Sequence, residues 1–507
     1  MNGKNKNLLR AQKLKKLQQL RAESVQAYGY RFDRTHNAEE FAAAFSQLAV
    51  NEQSGETVKI CGRIMKERNT WMFVDLEDQT GKVQLFCHKS NMPQEMHKRL
   101  RLLDRGDLIG VYGKPIRTQY GELSIMVEGW ELLAKSLQPL PEAEVLADPE
   151  LRYRHRYVDL ILNKDSRQRL QKRAATISSM RSFLDQRGFL EVETPVLNVQ
   201  ASGAEAKPFS THHSALDIEM HLRIAPEMYL KRLLIGGIEK VYEIGKNFRN
   251  EGISTRHNPE FTAIELYQSY GDVYDILKLT EELLRHVVLS VCGSARVQYQ
   301  GVELDFESPL KVMTMTESIR VTCGVDVEDI TEIADMRCVA AMLGVKLTDQ
   351  ETCGEIINEI FEQKVEHTLV QPTFITEYPL EVSVVQQHHR TRPGYTERFE
   401  LFIFGRELAN ACSELNDPQE QKRRFELQQK KRNAGHEECP LPDLDFINAM
   451  EFGMPPMMGL GVGIDRLVMF LTDAASIRDI IAFPTMKPLP RVAELNDRLP
   501  SEEREVG

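Results

Sequence analysis

The sequence predicts an α+β protein in two parts, a small all-β module followed by a larger mixed domain. Three observations predict this. Five short β-rich runs crowd residues 57–134. The stretch Leu137-Gln138-Pro139-Leu140-Pro141 has the composition of a linker. Helix-like and strand-like segments then mix from about residue 150 to 487.

Bulk composition sets the outer limits. A chain of 507 residues is long enough for two or three domains with substantial cores. Apolar residues make up 42% and charged residues 27%, an ordinary globular balance. A net charge of −11 argues against a protein that simply coats nucleic acid, although a local basic patch can still steer one. No apolar run of about 18 residues occurs, so no membrane span is expected. The N-terminal MNGKNKNLLRAQKLKKLQQL lacks the continuous apolar stretch of a secretory signal. Eight scattered cysteines with no C-x-x-C pair fit reduced thiols in a cytoplasm and offer no zinc signature.

Residues 1–50 read as a basic helical extension. One amphipathic helix is predicted over 1–30, with Leu9, Leu17 and Leu20 near one side. Lys4, Lys6, Arg10, Lys13, Lys15, Lys16 and Arg21 oppose a single acid, Glu23. Such a segment is either a solvated tail or a contact for an RNA backbone, since phosphate binding needs clustered cations. Residues 51–140 then form the barrel module. Its runs are 58–64, 72–78, 83–87, 108–117 and 123–133, with turn signals at Gln79-Thr80-Gly81-Lys82 and Tyr120-Gly121-Glu122. An insertion rich in Met, His and Lys separates the third run from the fourth. Five strands with that insertion suit an OB-type β-barrel, a fold that often binds single-stranded nucleic acid; the alternative is a small structural barrel.

The larger domain is assigned to residues 150–490, and 491–507 to a polar, flexible tail. Its first informative element is VYEIGKNFRNE, residues 241–251. Read as a strand, it puts Glu243, Gly245, Asn247, Arg249 and Glu251 on one face and Tyr242, Ile244 and Phe248 on the other. After the loop GISTRHNP, the run EFTAIELYQSY groups Phe261, Glu265 and Tyr267 opposite Ile264 and Leu266. The pair reads as a long antiparallel hairpin with one apolar and one polar, aromatic face. Arg256 and His257 in the loop add cations. The combination suits an anionic, planar ligand, or else a half-exposed hairpin with a solvated side.

A second element, Met458-Gly459-Leu460-Gly461-Val462-Gly463-Ile464-Asp465-Arg466, is glycine-rich, but its spacing matches neither common phosphate loop. It precedes an apolar helix with Arg466 in the opening turn. Small residues there admit a close ligand or backbone, or mark tight strand-to-helix packing. A third element, RFELFIFGRELANACSELND, carries Glu400, Glu407 and Glu414 at intervals of seven. If buried, these acids must be paired or must hold a cation. Glu400 and Glu407 have opposite strand parity. They share a site only if the chain kinks, and Gly405 is the natural place; otherwise they alternate on an edge strand.

These segments carry a specific resemblance. FRNE at 248–251 followed by RHNPEF at 256–261 resembles motif 2 of the class II aminoacyl-tRNA synthetases. GLGVGIDR at 459–466 resembles motif 3, and RGFLEVETP at 187–195 resembles motif 1, the dimer-forming element. APEMYLKR at 225–232 and SELNDP at 413–418 resemble the lysine-specific members of that family. The resemblance runs from the barrel module to about residue 487.

The resemblance implies a catalytic domain built on an antiparallel sheet flanked by helices, with ATP and L-lysine as substrates and tRNA(Lys) as acceptor. Arg249 would hold the α-phosphate. Phe261 and Arg466 would sandwich the adenine, with Glu251 near its amino edge. Arg256 and His257 would meet the outer phosphates. Glu400 and Glu407 would hold Mg2+, a cation that prefers oxygen ligands and substrate phosphates. Glu414 with Tyr267 would meet the ε-ammonium of lysine and Glu227 its α-amino group, with Glu265, Asn410 and the backbone of Gly203 completing the pocket. In the barrel, Arg68, Phe73, Gln84 and Glu122 match positions that read the anticodon. The resemblance further implies a cytoplasmic homodimer joined through the motif 1 region.

Three departures from the family pattern stand out. Cys412 occupies the place of an aromatic that packs on the lysine chain. Val384-Val385-Gln386-Gln387 replaces a segment close to Pro-Leu-Ala-Lys. The first barrel hairpin, near Asn69-Thr70, is slightly short. The first two bear on the amino-acid pocket and the third on the anticodon. Rival readings are an aspartyl or asparaginyl relative, a paralogue that lysylates a protein, and a non-catalytic RNA-binding derivative. The first needs cationic or amide recognition where this chain has Glu414 and Glu265. The second lacks the barrel. The third predicts loss of Arg249, Glu407 or Arg466, all of which are present.

Overall fold

A computed structural model describes residues 3–141, 146–348, 350–435, 439 and 441–489; the tail assigned to 491–507 lies outside them. The chain divides into two compact units, Met1–Arg152 and Tyr153–Gly507.

The first unit is built on strands β1 (Val58–Arg68), β2 (Phe73–Glu77), β3 (Lys82–Phe86), β4 (Leu108–Arg117) and β5 (Leu123–Ala134). They close into a barrel in the order β1-β2-β3-β5-β4. Period-two alternation drives this closure: Ile60, Val74, Leu76, Val83, Leu85, Val111 and Ile125 all point into one core. The insertion between β3 and β4 forms the helix Gln94–Arg99. Helix α1 (Gly3–Ala22) packs on the barrel. Its Leu17 and Leu20 join the barrel core. Lys13 Nζ donates to Arg105 O at 2.9 Å, and Lys16 Nζ to Asp104 Oδ1 at 2.7 Å. The helix ends at Ala22 rather than near residue 30, because Ser24 turns the backbone into the left-handed region at φ 56°.

The second unit is built on an eight-stranded sheet: β6 (Leu190–Glu191), β7 (Lys240–Phe248), β8 (Glu260–Ser269), β9 (Lys311–Thr314), β10 (Thr373–Thr376), β11 (Arg398–Phe402), β12 (Glu407–Ser413) and β13 (Met457–Gly463). The order is β9-β10-β11-β12-β13-β8-β7-β6. The expected antiparallel sheet holds across the six inner strands. Each edge strand joins in parallel. One sheet face is covered by helices α2 (Lys164–Asp185), α4 (Val273–Cys292) and α5 (Ile464–Leu471), with α3 (Glu227–Ile235) lying between α2 and α4 in the chain. Phe183, Leu284, Val287 and Phe470 from the covering helices meet Tyr242, Ile264, Leu266 and Leu460 from the sheet. Asp272 caps α4 by accepting from Tyr274 and Asp275, and Gly293 ends it at φ 74°. On the opposite face α3 packs against Val241 and Tyr267, and further helices meet Met313, Ile375 and Phe402.

Candidate active site

The β7–β8 hairpin forms as an antiparallel pair, with Glu243 opposite Glu265 and Asn247 opposite Phe261. Tyr242, Ile264 and Leu266 enter the core. Arg249, Phe261, Glu265 and Tyr267 line a cavity of about 620 Å³ on the opposite face. Glu243 stays outside that cavity. It accepts from Arg223 and from Thr194 Oγ1 at 2.7 Å, so it braces the sheet instead.

The glycine run is a strand, not a loop. In β13, Gly459 pairs with Tyr267 and Cys412, and Gly461 with Glu265 and Asn410. Met458, Leu460 and Val462 face the core, so Gly459, Gly461 and Gly463 form a floor without side chains beneath the cavity. At Gly459 the absence is obligatory, since a side-chain carbon would collide with Glu414 Oε1 and the Tyr267 ring. Asp465 locks this strand to the hairpin by accepting from Thr262 N at 2.7 Å and from Arg173. That bond sets the start of α5 and the position of Arg466.

Glu400 and Glu407 are brought together by a full reversal rather than a kink. The chain turns through Phe404 and Gly405, both at positive φ, and β11 pairs back on β12. A register shift at Leu401/Phe402 marks a bulge. Leu408 and Ala409 both enter the core, so Glu407 returns to the cavity face beside Asn410, Cys412 and Glu414. Arg398 Nη2 donates to Glu400 Oε1 at 2.6 Å and Asn410 Nδ2 to the same oxygen at 3.1 Å. Burial pushes Glu400 up to about 7; Arg398 opposes the rise and Glu407 adds to it.

The cavity has a carboxylate end. Glu227, in the first turn of α3, and Glu414, just past β12, both reach Lys231 Nζ at 2.5 Å. Burial works against that ammonium, but the two carboxylates raise it above the ordinary lysine range. Tyr267 Oη donates to Glu265 Oε2 at 3.1 Å. Burial, reinforced by Glu227, pushes Glu265 up to about 8. Gly203, at φ +90°, brings its backbone against Glu227.

At the opposite end the charges are cationic. Arg249 lies 5.1 Å over the Phe261 ring, and its Nε is buried without a hydrogen-bond partner. Arg466 donates to Glu407 O and, at 3.4 Å, to His257 Nε2. Burial and the nearby Arg466 lower His257, which favours the neutral, accepting ring. Glu251 and Arg256 line the same end. All fourteen site residues that the resemblance suggests in this domain thus border one cavity. Among the described residues no group of three or more His, Cys, Asp or Glu side chains gathers as a metal cluster. Sequence reasoning passed over Lys231, Arg398 and Asp465. Lys231 carried a signal, lying four residues after Glu227 on one helix face.

In the barrel, Arg68 pairs with Phe73 across β1 and β2, and Phe73 stacks on Phe86 at 5.1 Å and 14°. Arg68 Nη2 donates to Asp75 Oδ1 at 2.6 Å. Ser124 Oγ donates to Gln84 Oε1 at 2.8 Å and to Glu122 O at 3.3 Å, so Gln84 and Glu122 adjoin one hydroxyl. The short hairpin runs through Asn69, Thr70 and Trp71, all at positive φ.

Comparison with known proteins decides the family. Residues 148–487 match the model for tRNA synthetases class II (D, K and N), and residues 58–133 match the OB-fold nucleic acid binding domain. A lysine–tRNA ligase of Carboxydothermus hydrogenoformans is 50% identical over 94% of this chain and 97% of its own length. Those of Pelotomaculum thermopropionicum and Synechococcus sp. CC9311 are 48% and 49% identical over 93% and 95% of this chain, and over 94% and 99% of their own lengths. The chain belongs to the class II tRNA synthetases, among the lysine–tRNA ligases.

Two of the departures from that family's pattern meet at one place. Cys412 is buried on the cavity wall, and its thiol hydrogen-bonds Glu414. Burial raises that thiol well above its usual value, with Glu414 adding to the rise. Gln386 bridges Glu414, and Leu415 N donates to Val385 O at 2.9 Å. Both changes therefore flank the carboxylate expected to receive the distal amine.

Proposed function

We propose that the chain activates L-lysine with ATP and transfers it to the 3′ end of tRNA(Lys). One observation carries the reading: a single cavity joins a cationic, aromatic end to a carboxylate end over a floor of glycines. The carboxylate of lysine attacks the α-phosphorus of ATP, and pyrophosphate leaves. Arg249, with its unpartnered Nε, faces the α-phosphate, while Arg256 and His257 face the departing phosphates. Phe261 and Arg466 hold the adenine, and Glu251 meets its amino edge. A ribose hydroxyl of the tRNA then attacks the lysyl carbonyl of the adenylate, so that the aminoacyl ester forms and AMP leaves.

Glu414 and Tyr267 take the ε-ammonium. Glu227 takes the α-amino group, with Glu265, Asn410 and Gly203 closing the pocket. A neutral or anionic side chain would leave the buried Glu227–Lys231–Glu414 group with an unbalanced negative charge. Glu400 and Glu407 fit Mg2+, because two carboxylates face one cavity next to the proposed phosphate site. That ion would offset charge on the phosphates.

Arg68, Phe73, Gln84 and Glu122 would read the anticodon by stacking and by hydrogen bonds to base edges. Exposed Leu190, Val196, Leu197 and Val199 in the motif 1 region support a homodimer there. No described helix is long and apolar enough to cross a membrane, and the reading places the enzyme in the cytoplasm. The test is amino-acid-dependent ATP–pyrophosphate exchange against all twenty amino acids. Exchange with lysine alone is expected. Exchange with another amino acid overturns the specificity, and exchange with none in folded, ATP-binding protein overturns the activity.

A further inference from the structure

We propose that Lys231 is a positioning residue for amino-acid selectivity: it anchors Glu227 and Glu414 from behind the cavity wall and leaves the pair a single net negative charge. The proposal rests on the lysine-activation reading above. Glu227 and Glu414 both line the cavity, whereas Lys231 does not. The Lys231 side chain is only 1% exposed. Its ammonium reaches one oxygen of each carboxylate, Glu227 Oε1 and Glu414 Oε2, at 2.5 Å. It also lies 5.8 Å over the Tyr267 ring and 6.0 Å over the Phe446 ring. Lys231 is therefore a brace inside the wall and not a stand-in for the substrate amine, which would project into the cavity.

The brace has two consequences. Geometrically, Lys231 hydrogen-bonds one oxygen of Glu227 and ion-pairs with one oxygen of Glu414. The second oxygen of Glu414 lies against Gly459, and that of Glu227 against Gly203. Two long, flexible acids thus become fixed points at which separated ammonium groups are recognised. Electrostatically, two carboxylates and one ammonium sum to a single negative charge, while burial keeps Glu265 protonated up to about pH 8. The α-ammonium of any amino acid is offset by its own carboxylate, so one extra cation on the substrate side chain balances that count. A neutral side chain leaves it unbalanced out of water.

The groups facing Glu414 are Lys231 and Glu227 on α3, Tyr267 on β8, and Cys412 on its own strand. β13 offers only Gly459, and the 384–386 segment carries no charge. Burial pushes Glu414 up to about 7, with Lys231 pulling against the rise. Lysine binds the ionised form, so the KM for lysine falls as pH rises through that value. Removing the Lys231 charge moves this fall to higher pH.

The test compares K231M, K231Q and K231R with the parent protein in lysine-dependent ATP–pyrophosphate exchange from pH 6 to 9. Norleucine, which lacks the distal amine, is the competing substrate. In the two neutral variants lysine KM rises roughly 100-fold at pH 7, and the preference for lysine over norleucine drops by a similar factor. Their KM–pH curve shifts upward, KM for ATP stays within about twofold, and K231R recovers most of the loss. Unchanged lysine KM, selectivity and pH profile in a folded neutral variant would overturn the proposal. So would a purely structural outcome, in which neither neutral variant folds but K231R does. Absence of lysine exchange in the parent protein would instead overturn the function reading on which the proposal rests.

Discussion

The two ends of the cavity handle crowded like charge in opposite ways. At the cationic end, Arg256 is exposed and Arg249 keeps an unpartnered Nε. Water screens the repulsion, and an anionic ligand is needed to complete the set. At the carboxylate end, Glu227, Glu265 and Glu414 are withdrawn from water, and the chain supplies its own counter-ion, Lys231. On the proposed reading, the first end receives the phosphates of ATP. The second is assembled before substrate arrives, which suits discrimination better than raw affinity.

Substitutions at each end should separate these modes. Arg249→Ala is expected to cost the most, lowering the lysine-dependent exchange rate about 10³-fold (roughly 4 kcal/mol) while calorimetry still finds lysine bound. Loss of lysine binding in that variant would break the separation. Glu414→Gln comes next. Steady-state kinetics should give a lysine KM raised about 100-fold (roughly 3 kcal/mol) with KM for ATP within about twofold.

Gly459→Ala then tests the floor, through its clash with Glu414 and Tyr267. A loss of about tenfold in kcat/KM for lysine is expected. Gly461→Ala should cost less, because its nearest neighbour, Glu265 Cγ, is 3.7 Å away. Equal effects at the two glycines would argue against a uniquely tight floor at Gly459. Phe73→Ala in the barrel should raise KM for tRNA about tenfold and leave pyrophosphate exchange untouched.

The smallest effect concerns pH. Glu265 and Glu414 are raised to about 8 and about 7 from an ordinary value of 4.5. The folded chain therefore keeps protons that the unfolded chain has already released. The stability they lend is full below about pH 4.5 and is lost as pH rises through 7 and 8. Calorimetry of the ligand-free protein should show Tm falling by a few degrees across that interval. Added lysine should raise Tm more at pH 8 than at pH 6. A Tm that climbs between pH 5 and 8 would contradict the burial assigned to these two acids.

Much of the site was legible because strands convert sequence parity into faces. Alternation placed Ile264 and Leu266 in the core and Glu265 and Tyr267 in the cavity, with no knowledge of what lay beyond the sheet. The barrel followed from the same rule. Parity failed where the ladder is irregular. Glu407 seemed to oppose Glu400 until the bulge let Leu408 and Ala409 share one face. The length of α1 was misjudged because nothing in its composition announces a stop; a left-handed residue at Ser24 ends it. The glycine run was ambiguous for a related reason, since small residues permit both loops and strands, and only the pairing with β8 and β12 decides.

The sequence by itself determined which side chains share a face along an unbroken strand and the family to which the motifs belong, because both depend on near neighbours along the chain. Only the tertiary structure decided that Gly459 must remain bare, that Asp465 ties Arg466 to the hairpin, and that Lys231 stands behind two acids from different elements. Those facts concern distances between atoms far apart in sequence, and burial makes the energies of such contacts large, because charges withdrawn from water must find their partners within the protein.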